Sequence, residues 1–198
     1  MMLIIGLTGS MGTGKSTLID RIHQNLLWPI WDADREVKQL YLQPDVILQI
    51  SDAFPDSLGE NHTLSRSKLR TIVSKNPAAV AVLENILHPL LAQNRHLFIM
   101  SMKRLSQSIV GLDIPLLFEK GIDQECDLTV VTSCPLWLQK KRILTRPGMS
   151  KELMETLLSK HLSLEKKRHL ADIIVETGLS KGHSWSMFIK KLEEFRRR

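Results

Sequence analysis

Nine residues near the amino end of the chain, 9–17, have the types and spacing that bind a polyphosphate. They fit the pattern G-x-x-x-x-G-K-[ST] at every position. In such a loop the glycines let successive backbone amides surround a phosphate, the lysine charges the outer phosphates, and the first hydroxyl suits a Mg²⁺ position. The candidate nucleotide-binding residues are therefore Gly9, Gly12, Thr13, Gly14, Lys15, Ser16 and Thr17.

The segments on either side of this loop supply the context that the motif needs. Residues 2–8 are an apolar run typical of a strand, and residues 15–25 have helical periodicity. A glycine-rich turn that only joins a strand to a helix is the alternative interpretation. The strand–loop–helix order favours a site for a nucleoside triphosphate, but it does not distinguish a switch, a motor and a kinase.

Two pairs of carboxylates could contribute to phosphoryl transfer. Asp32 and Asp34 follow a short apolar run at 26–31, where they could accept a hydroxyl proton or join the shell of a Mg²⁺ ion. The alternative is that one of them caps the next helix. Asp113 and Glu119 frame a second candidate, because Asp113 ends an apolar run as a Walker-B carboxylate does. A capping role is again open for Asp113.

Two arginines complete the set of candidates. Arg142 and Arg146 are four residues apart, so on a helix they would share one face, just before Pro147 and Gly148. Two guanidinium groups suit a clamp on migrating phosphate charge, and a Pro-Gly corner suits a closing lid that excludes water. The alternative is a solvated helical face with intrahelical ion pairs.

The elements that must position these residues alternate along the chain. Strands are predicted at 2–8, 26–31, 108–113, 127–132 and 172–176, and helical segments at 15–25, 35–105, 137–170 and 185–198. The segment 35–105 is interrupted by a loop at 54–61, and Asn76-Pro77 opens a further helix within it. Pro29 cannot donate to a ladder, so the second strand should be short or lie at an edge. The pattern predicts an α/β fold, with a five-stranded parallel sheet of the P-loop NTPase type covered by helices on both faces. It also predicts a helical insertion and a small helical lid.

Composition excludes several classes of protein. The 198 residues are 43% hydrophobic and 24% charged, which is ordinary for a globular chain. No apolar run approaches the roughly 18 residues of a membrane span, and a cleaved signal peptide would destroy the loop. Cys126 and Cys134 match no metal spacing, so we expect reduced thiols and a cytoplasmic location. The segment 137–170 carries the whole net charge of +6, which favours a bound polyanion there over nucleic acid elsewhere.

With these motifs in order, the sequence resembles the dephospho-coenzyme A kinase family along nearly its whole length. The residues that carry the resemblance are the phosphate loop, Asp32-Ala33-Asp34, Leu64-Ser65-Arg66 with Leu69, His88-Pro89-Leu90, the run from Asp113 to Glu119, Gln139 to Arg146, and Lys167 to Asp172. The combination of Asp-Ala-Asp, His-Pro and Pro-Leu-Leu-Phe-Glu is far more specific than the loop alone.

The resemblance implies a molecule of three parts. These are a nucleotide core (1–34, 106–136 and 171–198), a helical acceptor domain (35–105) and a lid (137–170). It implies ATP, Mg²⁺ and transfer to the ribose 3′-hydroxyl of dephospho-coenzyme A, in a monomer or small homo-oligomer without nucleic acid or membrane.

The resemblance also assigns roles to individual residues. The implied catalytic residues are Asp34, Lys15 and Arg142. Arg146 joins the ATP site, Asp32, Arg66, His88 and Leu116 the substrate site, and Ser16 and Asp32 the metal site. By itself His88 would more often be a core or helix-end histidine.

The chain departs from the family pattern at several positions. Ser10, Met11 and Thr13 replace the usual loop residues, 25–28 lacks a usual Gly, and His161 stands where Gln is common.

Three other functions stay open. A different small-molecule kinase of the same fold is the nearest alternative. A GTP-dependent switch would need an Asn-Lys-x-Asp stretch, which the sequence lacks. A nucleic-acid-binding NTPase would use the basic segment, with steep salt dependence.

Overall fold

A five-stranded sheet carries the phosphate-binding loop in the computed structural model, which describes residues 2–59, 63–74, 76–159 and 161–197. The strands are β1 (Leu3–Thr8), β2 (Ile30–Asp32), β3 (Ile109–Asp113), β4 (Leu128–Ser133) and β5 (Ile173–Glu176), in the spatial order β2-β3-β1-β4-β5. The pairings of β1 with β3, β1 with β4 and β4 with β5 are parallel. The predicted parallel α/β sheet is confirmed, and β2 is the short edge strand that Pro29 predicts.

Helices alternate with these strands. They are α1 (Lys15–Asn25), α2 (Ala33–Leu40), α3 (Pro44–Ala53), α4 (Arg66–Ser74), α5 (Pro77–Arg104), α6 (Leu136–Leu144), α7 (Lys151–Ser159), α8 (Leu164–Leu170) and α9 (Lys181–Arg196). Short 3₁₀ turns lie at Pro55–Ser57 and Ile122–Glu125. In the basic segment predicted as helical from 137 to 170, the described residues form α6, α7 and α8 with breaks between them.

Two helix starts show how local chemistry sets the boundaries. Asn76 Oδ1 accepts a hydrogen bond from the Ala78 amide at 2.9 Å, just before Pro77 opens α5, as the Asn-Pro pair predicts. By contrast, α9 begins at Lys181 and not at the predicted residue 185. Ser180 Oγ accepts from the His183 amide at 3.1 Å, and this cap begins the helix before its amphipathic pattern does. Arg198, the last residue of the predicted helix, lies outside the described residues.

The inner strands β3 and β4 are buried along their whole length, and β1 is buried from Ile5 onward. On one face, Ile5 and Val175 pack with Ile22 of α1 and Phe188 of α9 in one hydrophobic cluster. On the other face a Cβ added to Gly6 would lie 2.8 Å from Leu117 Cδ2. β1, which leads into the phosphate loop, is therefore packed on both faces.

The chain divides into two compact units. Unit 1 comprises residues 1–30 and 105–198, and unit 2 comprises 31–104, so the boundary falls inside β2. Unit 2 contains α2 to α5 around its own buried core, which includes Val46, Ile50 and Leu69. Residues 60 and 61, at the end of the predicted loop at 54–61, lie outside the described residues. The segment 137–170 belongs to unit 1, and its assignment as a lid stays a prediction.

Two further observations concern membrane-spanning helices and disulfide bonds. Among the described helices, none combines the length and the apolar character that crossing a bilayer requires. Neither Cys126 nor Cys134 forms a disulfide, as predicted.

Candidate nucleotide-binding site

The phosphate loop has the backbone conformation of an anion-binding nest. Gly12 and Gly14 adopt the left-handed region, with φ of 80° and 90°, whereas Thr13 between them does not. This alternation turns neighbouring amides toward a common point, and only glycine adopts φ values of this kind without strain. The two glycines that the sequence motif requires are thus explained by local geometry.

Three successive carbonyls of the loop accept hydrogen bonds from residues outside the loop. Gln139 of α6 donates from Nε2 to Met11 O at 2.8 Å, and Arg142 of the same helix donates from Nη1 to Gly12 O at 3.4 Å. Thr177, which follows β5, donates from Oγ1 to Thr13 O at 2.5 Å. Because each carbonyl is engaged on its outer side, the peptide units of the loop are fixed in orientation.

Several amides of the loop are left for a ligand, whereas the Thr13 amide donates to Ser10 O at 3.2 Å. Within the described part of the chain, the backbone N–H groups of Gly12, Gly14 and Lys15 donate to no protein acceptor. They precede or open α1, whose cap residue Gly14 supplies no side-chain hydrogen bond and whose first turn contains no acidic residue. The positive end of the helix dipole therefore adds to these donors, and the loop suits a phosphate.

Lys15 is the cation of this site. Its Nζ pairs with Asp113 Oδ1 at the end of β3, and both side chains are largely buried. Asp113 thereby lies at the loop, as a Walker-B carboxylate would. The pair shows that the two motifs, 98 residues apart, form one site.

The oxygen donors around the loop fit a Mg²⁺ ion. Ser16 is exposed in the first turn of α1, and the Asp113 carboxylate lies beside Lys15. Among the described residues no group of three or more His, Cys, Asp and Glu could hold a metal by itself. Mg²⁺ commonly uses one or two protein oxygens and completes its shell with substrate phosphates and water, so these hard donors are sufficient.

Gly9 and Thr13 of the predicted set pack against Thr132 of β4. A Cβ added at Gly9 would lie 2.7 Å from Thr13 Oγ1, and it would clash with Thr132 Oγ1. Thr13 is fully buried, and its Oγ1 lies 2.7 Å from Ser10 O and 2.8 Å from Thr132 Oγ1. The side chain of Thr13 thus faces the protein interior. Thr17 lies in the first turn of α1 and is half-buried.

Asp32 and Asp34 lie in unit 2 at the start of α2. Asp32 is the N-cap, and its Oδ1 accepts from the Arg35 amide at 3.0 Å. This is the capping alternative that the sequence left open. Asp34 lies within the first turn of the helix, so only Asp32 belongs to the strand.

The predicted acceptor residues fall in both units. In unit 2, Arg66 donates to Lys38 O at 3.0 Å and lies over the Tyr41 ring at 5.6 Å. Burial raises the pKa of the Tyr41 hydroxyl, and the Arg66 charge opposes this shift. Also in unit 2, His88 Nε2 is 4.0 Å from Glu84 Oε1 on the exposed surface of α5. Leu116 lies half-buried in unit 1, in the turn after β3.

The two arginines of the basic segment have different surroundings. Besides its contact with Gly12 O, Arg142 donates to Thr177 Oγ1 at 3.1 Å and to Thr177 O at 2.8 Å. Arg146 is exposed just after α6. Arg142 therefore joins the phosphate loop to the segment after β5, a contact that its sequence position did not reveal.

Gln139 and Thr177 are the site residues that sequence reasoning did not select. Gln139 is only 3% exposed, and Thr177 lies 3.1 Å from a Cβ added at Gly14. The available signal was a glutamine four residues before Ile143, on the apolar face of the helix, because an amide buried there requires a partner. The partner itself is 128 residues away in sequence, so only the fold identifies it.

Comparisons with known proteins agree with this geometry. The family model for CoaE, dephospho-CoA kinase, matches residues 3–181. The dephospho-CoA kinase of Bartonella quintana is 40% identical over 177 residues, which cover 89% of this chain and 90% of that protein. The crystal structure of TT1252 from Thermus thermophilus superposes with a TM-score of 0.84 at 27% identity, over 98% of this chain and 97% of the other. The dephospho-CoA kinase from Campylobacter jejuni gives 0.72 at 25% identity, over 98% of both.

Replacing Gln139 by leucine tests the outer support of the loop. The variant leaves Met11 O against an apolar side chain in place of its donor, a loss that costs about 1–3 kcal/mol. If the nucleotide-bound loop needs that carbonyl in place, the Kd for a nucleoside triphosphate should rise by roughly tenfold. Isothermal titration measures this change, and Leu144→Ala, an exposed position on α6, is the control. Equal affinities in Gln139→Leu and wild type would contradict a supporting role.

Proposed function

Because the chain belongs to the dephospho-CoA kinase family, we propose that it transfers the terminal phosphoryl group of ATP to the ribose 3′-hydroxyl of dephospho-CoA. The products are coenzyme A and ADP, in the last step of coenzyme A biosynthesis. The observation that carries the proposal is the loop at 9–17, with three carbonyls held by hydrogen bonds and the amides of Gly12, Gly14 and Lys15 left for a ligand.

Unit 1 supplies the residues that bind the phosphates of the nucleotide. The amides of the loop and the start of α1 hold the β- and γ-phosphates, and Lys15 places its ammonium on the same oxygens. In the structure Lys15 pairs with Asp113, so binding of ATP exchanges one anionic partner for another. Because a cation is already in position, little reorganisation accompanies the reaction.

Mg²⁺ completes the charge balance. Ser16 and Asp113 of unit 1 would hold it, and the ion would neutralise charge that develops on the β- and γ-phosphate oxygens. The assignment of Asp32 to the metal stays a prediction. The protein's own part is to place hydroxyl and carboxylate oxygens beside the phosphates. Two further aspects are proposals of the same kind: a cytoplasmic location, supported by the two cysteines outside any disulfide, and a monomer or small homo-oligomer without nucleic acid.

The acceptor side rests on residues assigned through the family. Asp34 accepts the proton of the attacking hydroxyl, and Arg66, His88 and Leu116 bind dephospho-CoA. Arg146, exposed after α6, and Arg142, which lies at the loop, stabilise the transferring group. Such a transfer involves little covalent chemistry with the protein, so positioning and charge supply most of the rate.

An ADP-release assay across several acceptors tests the proposed function. With ATP and Mg²⁺, dephospho-CoA should give saturable ADP release and a product heavier by one phosphate in mass spectra. A nucleoside monophosphate and buffer alone are the controls. Saturable release with the monophosphate, and none with dephospho-CoA, would instead assign a different small-molecule kinase activity.

Asp34→Asn tests the proposed base. The amide cannot accept the proton, so kcat should fall by roughly 10²- to 10⁴-fold while the affinity for ATP stays within a fewfold. Steady-state kinetics and titration with ATP measure the two quantities. Asp45→Asn, an exposed carboxylate in the first turn of α3, is the matched control in the same unit. Near-normal turnover in Asp34→Asn would remove this residue from the mechanism.

A further inference from the structure

One lysine of the basic segment is not on the surface. Lys167 of α8 is 0% exposed, although its neighbour Lys166 is exposed to solvent. The Lys167 Nζ donates to Pro115 O at 2.9 Å and lies 3.0 Å from Glu119 Oε1. A single ammonium thus holds the turn after β3 at two points, four residues apart, and fastens that turn to α8.

The Pro115 carbonyl connects this ammonium to the phosphate loop. It also accepts a hydrogen bond from Thr8 Oγ1 at 3.1 Å, and Thr8 is the last residue of β1, directly before Gly9. Two residues before Pro115, Asp113 pairs with Lys15. The turn from 113 to 119 therefore lies between the loop and α8, and its position depends on what holds Pro115 and Glu119.

Glu119 extends the connection to the junction between α7 and α8. Its Oε1 accepts from the Leu162 amide at 2.9 Å and lies 4.0 Å from His161 Nδ1. Its Oε2 is buried and accepts no hydrogen bond within the described part of the chain. Removing Lys167 would leave the Glu119 carboxylate buried without its cation. The Leu162 amide and the His161 ring would be its remaining neighbours.

The ionisation of this cluster agrees with its geometry. Burial raises the pKa of Glu119, but hydrogen bonds from Lys167 and the Leu162 amide outweigh that effect and hold the pKa below its usual value. Burial lowers the pKa of Lys167, and Glu119 opposes the shift. Burial also lowers the pKa of His161, which favours the neutral ring beside the pair.

Stability alone is a poor explanation for such a pair. Desolvation of both ions offsets much of their attraction, and an apolar pair of similar volume is often equally stable. What the ion pair does provide is a fixed geometry, because the ammonium has several acceptors in defined directions. The elements fixed here, the Asp113 carboxylate and Leu116, are those assigned to the transfer site.

We propose that Lys167 is a positioning residue for phosphoryl transfer, which sets the 113–119 turn against α8 and so places Asp113 and Leu116 relative to the phosphate loop. The inference rests on the proposed function. It assigns the buried lysine to the acceptor step and not to ATP binding, because the loop carbonyls are held separately by Gln139, Arg142 and Thr177.

Three variants test the proposal: Lys167→Met, Glu119→Gln and the double variant. For Lys167→Met, kcat/KM for dephospho-CoA should fall by about 10- to 100-fold while the Kd for ATP stays within about threefold, because a small displacement near reacting groups is costly. Lys166→Met, the same substitution at an exposed position of α8, is the control and should match wild type.

The double variant separates positioning from stability. In Lys167→Met the charged Glu119 is buried without its cation, so the melting temperature should fall, and neutralising Glu119 should recover most of it. The acceptor kinetics should stay impaired, because the link from α8 to Pro115 is still missing. Recovery of kcat/KM together with the melting temperature would overturn the proposal, as would unchanged kinetics in Lys167→Met.

Hydrogen exchange gives a readout that does not depend on the acceptor. The amides of Lys120, Gly121 and Ile122 donate within the turn that follows Pro115. They should exchange faster in Lys167→Met than in wild type and Lys166→Met, and equal exchange in all three would overturn the positioning role. If wild type did not phosphorylate dephospho-CoA, the proposed function would fail, and the exchange result would still decide whether Lys167 holds the turn.

Discussion

The orientation of the peptide units in the phosphate loop is the constraint on which the site depends. Gly12 and Gly14 permit the required backbone, but they also make the loop flexible in principle. Hydrogen bonds from Gln139 and Arg142 on α6, and from Thr177 after β5, remove that freedom by engaging consecutive carbonyls. The amides of Gly12 and Gly14, in two of these peptide units, are thereby prepared for a phosphate before any ligand binds.

This arrangement assigns different tasks to residues of one basic segment. Of the charges between 137 and 170, Arg142 holds the loop, Arg168 pairs with Glu176, and Lys167 lies buried against the turn after β3. Arg146 remains exposed for a ligand. Several of the cations behind the net charge of +6 therefore form bonds within the protein itself. Their summed field still favours a polyphosphate at the loop.

The sequence was sufficient to predict the elements whose cause is local. The loop motif, the edge position of β2 and the Asn-Pro start of α5 follow from glycine, proline and capping chemistry near each position. The start of α9 was missed because the prediction followed the periodicity of the apolar residues and did not consider Ser180 as a cap.

Features that depend on distant partners were beyond a single sequence. Lys167 resembles any lysine of a solvated helix, and only the fold brings Glu119 to it. The sequence could not reveal the bond of Arg142 to Thr177, because the two residues are 35 apart, and the predicted ligand clamp stays a prediction. Asp32 was ambiguous between metal ligand and helix cap, and the structure shows the cap while its role toward Mg²⁺ stays a proposal.

Titration of ATP into wild type and Lys15→Met, with adenosine as a second ligand, measures the grip on the phosphates most directly. Loss of the ammonium removes charge-assisted hydrogen bonds worth about 1.5–3 kcal/mol, so the Kd for ATP should rise by at least about tenfold. The affinity for adenosine, which has no phosphate, should be unchanged. Equal affinity of the two proteins for ATP would contradict the account.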